Sequence, residues 1–178
     1  ESIAEIEDFD ELILCNDSVY GPFFDLSAIF EEMTHSNCDF WGVTESHAVA
    51  YHLQSYFLVF RKKIIRSNNF KSFWSSIIHI SNKRELIEKY EVGLTQSFLK
   101  AGFKPGVFIS FTPSTRFVIK RLITPLSINT PIKSLRLLKN AARYLMARKP
   151  VFDKRTLNLT HFAWEELIIK KKMPFIKI

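Results

Sequence analysis

The sequence predicts an α/β domain. Two observations carry that reading: short apolar runs of strand character alternate with segments of helical apolar spacing, and the composition supports one sizeable core. The chain has 178 residues, 47% hydrophobic and 14% aromatic, with 17 Phe and only 5 Gly. That length suits a single domain, and the apolar content is that of a globular chain rather than a disordered one.

The elements follow in order. "ELILC" (Glu11–Cys15) reads as a strand that stops at the turn formers Asn16, Asp17 and Ser18, with Gly21-Pro22 just beyond. "DLSAIFEEM" (25–33) has an acidic start and the apolar spacing of a helix. A second strand is expected over Asp39–Val43, and the strongest strand signal is "YHLQSYFLVF" (Tyr51–Phe60). "FKSFWSSII" (70–78) reads as a short helix. A longer one covers "KRELIEKYEVGLTQSFLKAG" (83–102), with Gly93 as a candidate break and Gly102 as its C-cap. "GVFISF" (106–111) is the last strand, bounded by Pro105 and Pro113. The clearest amphipathic helix, Ile132–Lys149, lies between Pro131 and Pro150, and "THFAWEELIIKKK" closes the list with Thr160 as N-cap.

Charge narrows the partners. Lys and Arg number 25 against 18 Asp and Glu, a net charge of +7. The first sixty residues are acidic on balance, so the excess is a local basic surface formed after Arg61. Nucleic acid, anionic lipid and phosphorylated substrates all suit such a surface. "FRKKIIRSNNFKSFW" interleaves basic and aromatic residues, but no RNA- or DNA-binding signature accompanies it, and no nucleic-acid partner is expected. No run reaches the length of a membrane span, and no signal peptide is evident. Cys15 and Cys38 form no CxxC and read as reduced core residues of a cytoplasmic protein. A start without Met, soon followed by a core-type strand, reads as a piece of a longer polypeptide.

The chemistry has to come from small constellations. The five histidines (His35, His47, His52, His79 and His161) are scattered, with no HExxH. There is no P-loop, no G-x-S-x-G and no G-x-G-x-x-G, which removes the commonest ATPase, hydrolase and dehydrogenase readings. Asn16-Asp17-Ser18 reads either as a turn or as a ligand site, because ligands of open α/β sheets lie beyond the carboxyl ends of strands. "CDFWGVTES" puts Asp39, Trp41, Gly42, Thr44 and Glu45 at a strand end. "YHLQSYF" sets His52, Gln54 and Ser55 in an otherwise apolar strand, where they either satisfy one another or meet a substrate. Glu91 and Thr95 share one helical spacing. Polar groups at several element ends suit a polyhydroxylated substrate.

"NDSVYGP", "DFWGVTES", "HLQSYFLVF", "FWSSI", "YEVGLTQSFLKAGF" and "NLTHFAWEELI…PFIK" occur in the order seen in the rhamnan synthesis protein F family, which this sequence resembles from about Asp10 to its last residue. That family is similar to glycosyltransferases of polysaccharide and lipopolysaccharide assembly. The resemblance implies a GT-A-like mixed sheet flanked by helices. Residues 1–178 would be the C-terminal part of a single glycosyltransferase-like domain whose N-terminal nucleotide-binding half lies upstream. It implies transfer of a sugar, rhamnose-like deoxysugars among the candidates, from a nucleotide-sugar donor to a glycan or lipid-linked acceptor at the inner face of a bacterial membrane.

Residue by residue, the resemblance makes Asn16, Asp17 and Ser18 donor-binding, with Asp17 also catalytic and the position for Mn or Mg. The usual Asp-x-Asp has two carboxylates and this chain has one, so affinity for a hard cation should be weak without the donor phosphates. Trp41, Gly42, Thr44, His52, Gln54 and Ser55 would bind the acceptor. Glu91 is the expected general base, with a solvated, salt-bridged carboxylate as its alternative and Asp39 and Glu45 in reserve. Lys120, Arg121 or His161 would face the leaving diphosphate. The basic side of 132–149 is expected either to touch an anionic bilayer or to be the wet face of a core helix. The rival reading is a non-catalytic glycan- or protein-binding module.

Overall fold

The computed structural model describes residues 6–47, 49–110 and 163–177. Its centre is the run Phe40–Ser46, strand β3, where five successive residues are buried. A strand buried on both faces needs helices on both sides, and it has them. The other strands are β1 (Glu11–Cys15), β2 (Val19–Tyr20), β4 (His52–Leu53), β5 (Phe57–Arg61), β6 (Pro105–Ile109) and β7 (Ile176–Lys177). The main sheet runs β1-β5-β3, with β6 on the other side of β3 and β4 pairing the far end of β3. β5 is antiparallel to both β1 and β3, whereas β6 is parallel to β3. So β1, β3 and β6 point the same way and their carboxyl ends share one edge. The expected mixed α/β sheet flanked by helices is present.

One face packs on helix α1 (Leu26–Thr34) and on the C-terminal segment, through Ile29, Met33, Trp41, Val59, Leu167 and Phe175. Asp25 caps α1 by accepting from the Ser27 N–H at 2.9 Å. The opposite face holds Phe40, Leu58, Phe60, Phe70 and Phe98. It is covered by α2 (Lys62–Ile65), α3 (Asn68–Ser75) and α5 (Gly93–Lys100). Many of the Phe residues meet here edge to face; the rings of Phe40 and Phe98 are 5.4 Å apart and those of Phe60 and Phe70 are 5.5 Å apart. Helix α6 (Trp164–Lys171) ends at Lys172 with φ 52, and β7 then pairs antiparallel with β2.

Four local expectations are corrected. Tyr51–Phe60 is two strands, because the pairing with β3 slips by two residues between Gly42–Leu58 and Glu45–Leu53, leaving 54–56 as a bulge. Gly93 is no break: its φ is −60, and the long helix runs from α4 (Lys83–Leu86) through a π-helical turn (Ile87–Val92) into α5. Gly102, with φ +84, lies one residue beyond the C-cap Ala101, where a left-handed residue ends a helix. Cys15 is exposed rather than core, because the two-residue period of β1 turns Leu12 and Leu14 inward and Ile13 and Cys15 outward. The 132–149 helix, Thr160, Lys120, Arg121 and His161 lie outside the described residues.

Candidate functional site

The shared carboxyl edge of β1, β3 and β6 collects the polar residues. Past β1, the Asn16 N–H donates to Tyr56 O at 3.2 Å, tying this loop to the bulge of the neighbouring strand. Asn16 Oδ1 accepts from the Ser18 N–H at 3.3 Å and from Ser18 Oγ at 3.0 Å. The turn reading of this triplet is therefore realised, and it leaves Asp17 exposed at the tip. Asn16 and Ser18 shape the turn; Asp17 is the group offered to solvent.

At the end of β3, Thr44, Gln54 and Tyr56 form a buried network. Thr44 Oγ1 lies 2.7 Å from both Gln54 Oε1 and the Tyr56 hydroxyl, and Thr44 and Gln54 are each only 4% exposed. Burial pushes the Tyr56 phenol pKa up, with the Thr44 bond pulling the other way. His52 is equally buried and its Nδ1 donates to Ala50 O at 2.9 Å. Trp41 lies wholly within the core, and its indole N–H has no hydrogen-bond partner. Gly42 has no free space beside it: a Cβ there would stand 3.2 Å from Leu58 Cδ2 and 3.3 Å from Leu53 Cβ. These expected acceptor residues are brought together, but most of them lie inside the protein.

The bulge is held from the helix side. A bulge frees backbone groups from the ladder, and they need partners. The Ser55 N–H donates to Glu91 Oε1 at 3.0 Å, the Leu53 N–H to Thr95 Oγ1 at 3.1 Å, and Gln96 Nε2 to Tyr51 O at 2.7 Å. Glu91 is thus half-buried at the site with one oxygen fixed, not a solvated carboxylate paired with Lys89 or Arg84. Arg84 pairs with Glu88 instead, at 2.8 Å.

Asp39 is not at this edge. It precedes β3 at the opposite end of the sheet, where its carboxylate meets Lys63 Nζ at 2.8 Å and accepts the Lys104 N–H at 2.8 Å. Burial raises its pKa, but these partners outweigh burial and the net pKa lies below the usual aspartate value. Distance from the site removes it from the reserve bases. Glu45, by contrast, ends β3 at the site and accepts from Ser110 Oγ at 2.7 Å. Burial and then the nearby Glu45 carboxylate push the Tyr51 pKa up to about 12. Tyr51, Tyr56, Gln96 and Ser110 escaped the sequence reading. The two tyrosines stand inside "YHLQSYF", where a strand pattern does not set a phenol apart from a core ring.

No group of three His, Cys, Asp or Glu that could hold a metal occurs among the described residues. Asp17 is one exposed carboxylate, and a hard cation takes several oxygen ligands. The described residues do not by themselves fit the Mn or Mg that the resemblance implied, and no step below uses one.

The family model described as rhamnan synthesis protein F matches residues 2–131. This chain belongs to the rhamnan synthesis protein F family. It is 30% identical over 173 residues to "Virulence protein VirA" of Vibrio anguillarum, covering 96% of this chain and 51% of that protein. It is 31% identical over 106 residues to "Uncharacterized protein y4gN" of Sinorhizobium fredii, covering 57% of this chain and 27% of that protein. The chain spans about half the length, or less, of the curated relatives it matches. No solved structure gives a significant match. The family name connects this rhamnan synthesis protein F chain with polysaccharide synthesis. No helix among its described residues is long and apolar enough to cross a membrane.

Proposed function

We propose that this chain is the acceptor-side part of a glycosyltransferase domain. It moves a sugar, rhamnose-like or related, from a nucleotide-sugar to a glycan or lipid-linked acceptor in cell-surface polysaccharide synthesis. The observation that carries the proposal is that Asp17 after β1, Glu45 near the end of β3 and Glu91, which takes the Ser55 N–H of the bulge, all stand toward the carboxyl edge of the sheet on separate elements, with the exposed Ser110 hydroxyl on Glu45. Such strand ends are where open α/β sheets bind ligands. The family membership supports the substrate class.

In this mechanism Asp17 binds donor hydroxyls at the turn after β1, with Asn16 and Ser18 holding the loop. Glu91 takes the proton from the acceptor hydroxyl as that oxygen bonds to the anomeric carbon and the nucleotide diphosphate leaves. Its fixed oxygen sets the orientation of the carboxylate and the other oxygen receives the proton. Thr44, Gln54 and His52 build the wall behind the acceptor rather than touching it. The second reading, a non-catalytic glycan-binding module, draws on the Glu91–Ser55 bond, which gives Glu91 a structural task of its own.

The test is Glu91→Gln in the full-length protein. General-base loss commonly lowers turnover on the order of a hundredfold or more while donor affinity holds. Donor affinity is read by calorimetric titration with nucleotide-sugars. Normal turnover in this variant rules Glu91 out as the base, and absence of transfer and donor hydrolysis in the wild type favours the binding module.

A further inference from the structure

The acceptor residues read from the sequence lie one layer too deep. Thr44, His52 and Gln54 are buried and bonded to one another or to backbone. One position beyond Thr44 the chain emerges, and there the Glu45 carboxylate faces two other segments. Ser110, just past β6, donates at 2.7 Å and is exposed. Tyr51, in the loop before β4, stands near enough to the same carboxylate for the Glu45 charge to hold its phenol pKa up. The His47 ring stands edge-on to Tyr51 with centroids 5.2 Å apart and backs the tyrosine from the loop side.

We infer that Glu45, Tyr51 and Ser110 form a subsite for a neutral sugar ring that offers two neighbouring hydroxyls. The inference rests on the glycosyl-transfer reading and specifies the acceptor for it. An ionised carboxylate has about four lone-pair positions, and Ser110 fills one of them. The remaining positions match a pair of adjacent sugar hydroxyls, and O–H···O⁻ bonds are stronger than neutral ones. Ser110 is exposed, so its Oγ can accept from a sugar hydroxyl while its own proton stays on Glu45. The same negative charge works against a uronic acid or a phosphorylated sugar at this position. β1 and β3 are two strand spacings apart, with β5 and then the 54–56 bulge between the end of β3 and the turn that holds Asp17, a lateral span of roughly 10 Å. That leaves room for a donor and an acceptor sugar side by side.

The experiment uses the full-length protein, with rhamnose oligosaccharides as neutral acceptors and a glucuronate-bearing oligosaccharide as the charged one. Glu45→Gln should raise the KM for the neutral acceptor about tenfold or more, the loss expected from one charge-assisted hydrogen bond, with donor KM unchanged. It should also narrow the preference for neutral over charged acceptor. Tyr51→Phe removes a single half-buried hydroxyl and should shift acceptor KM in the same direction by a few-fold, which keeps the test open if the first variant folds poorly. An unchanged acceptor KM in both variants overturns the subsite, as does a fall in kcat at constant acceptor KM. If the wild type transfers nothing, NMR titration with the rhamnose oligosaccharide decides. Binding that Glu45→Gln abolishes upholds the subsite while the transferase reading falls; no binding by the wild type overturns both.

Discussion

Thr44→Val is the most exacting test of the buried network. The Thr44 hydroxyl has one proton, and it goes to Gln54 Oε1, which cannot donate. The Tyr56 hydroxyl, also 2.7 Å away, must therefore be the donor to Thr44 Oγ1. Valine keeps the shape but leaves Tyr56 a buried donor without a partner and takes one bond from Gln54. An orphaned buried group costs about 1–3 kcal/mol; Gln54 keeps a further interaction, so the variant should lose about 2–3 kcal/mol in all. Tyr56→Phe alone should cost about 1 kcal/mol, because Thr44 still donates to Gln54. The double variant should be no less stable than Thr44→Val, since the phenylalanine removes the orphan that the valine made. Urea unfolding followed by circular dichroism reads all three as midpoint shifts at constant slope. In a chain of this size Thr44→Val should also melt roughly 5–10 °C lower. A loss under about 0.5 kcal/mol for Thr44→Val, or a double variant equal to the sum of the singles, would refute this proton assignment.

Three further outcomes are expected. Arg61 donates to Ser36 O and Cys38 O at 2.8 Å each and also to Met33 O, pinning the end of α1 to β5. Arg61→Lys should cost about 1–2 kcal/mol by urea midpoint because one ammonium cannot span three carbonyls, and an unchanged midpoint refutes that. At Gly106 a Cβ would stand 2.7 Å from Cys38 Sγ and 3.0 Å from Cys38 Cβ, so Gly106→Ala should destabilise by about 1–3 kcal/mol; equal or greater thermal stability contradicts the close approach. Asp39 has a lowered pKa, so its stabilising effect is present above the unfolded value of 3.8 and is lost as pH falls through the folded one. The stability gap between wild type and Asp39→Asn should therefore shrink as unfolding is repeated from pH 6 down to pH 3, and a gap that widens instead reverses the sign.

Much was legible locally. Apolar period placed β1, α1, β5 and the long helix, and Asp25, Ser67 and Asn82 cap helices as their residue types suggest, accepting from Ser27, Phe70 and Arg84 N–H groups. The ordered motifs identified the family before any coordinates did. All these features depend on neighbours within a turn or two of the chain.

The site was legible only as a set of residue types near one another. Asp39 and Glu45 bracket the same strand, and period alone does not say which end faces the ligand edge. The direction of β3 relative to β1 and β6 decides that. Likewise the stretch 51–60 carries a continuous strand pattern. It breaks because Thr95 and Glu91, 42 and 36 residues further on, take the N–H groups of Leu53 and Ser55. By itself the sequence determined the α/β class, most of the longer elements and the family, since those follow from local period and short motifs. Only the tertiary structure decided that Thr44 and Gln54 turn inward while Glu45 and Asp17 stay at the rim, because backbone and hydroxyl groups are satisfied there by partners distant in sequence.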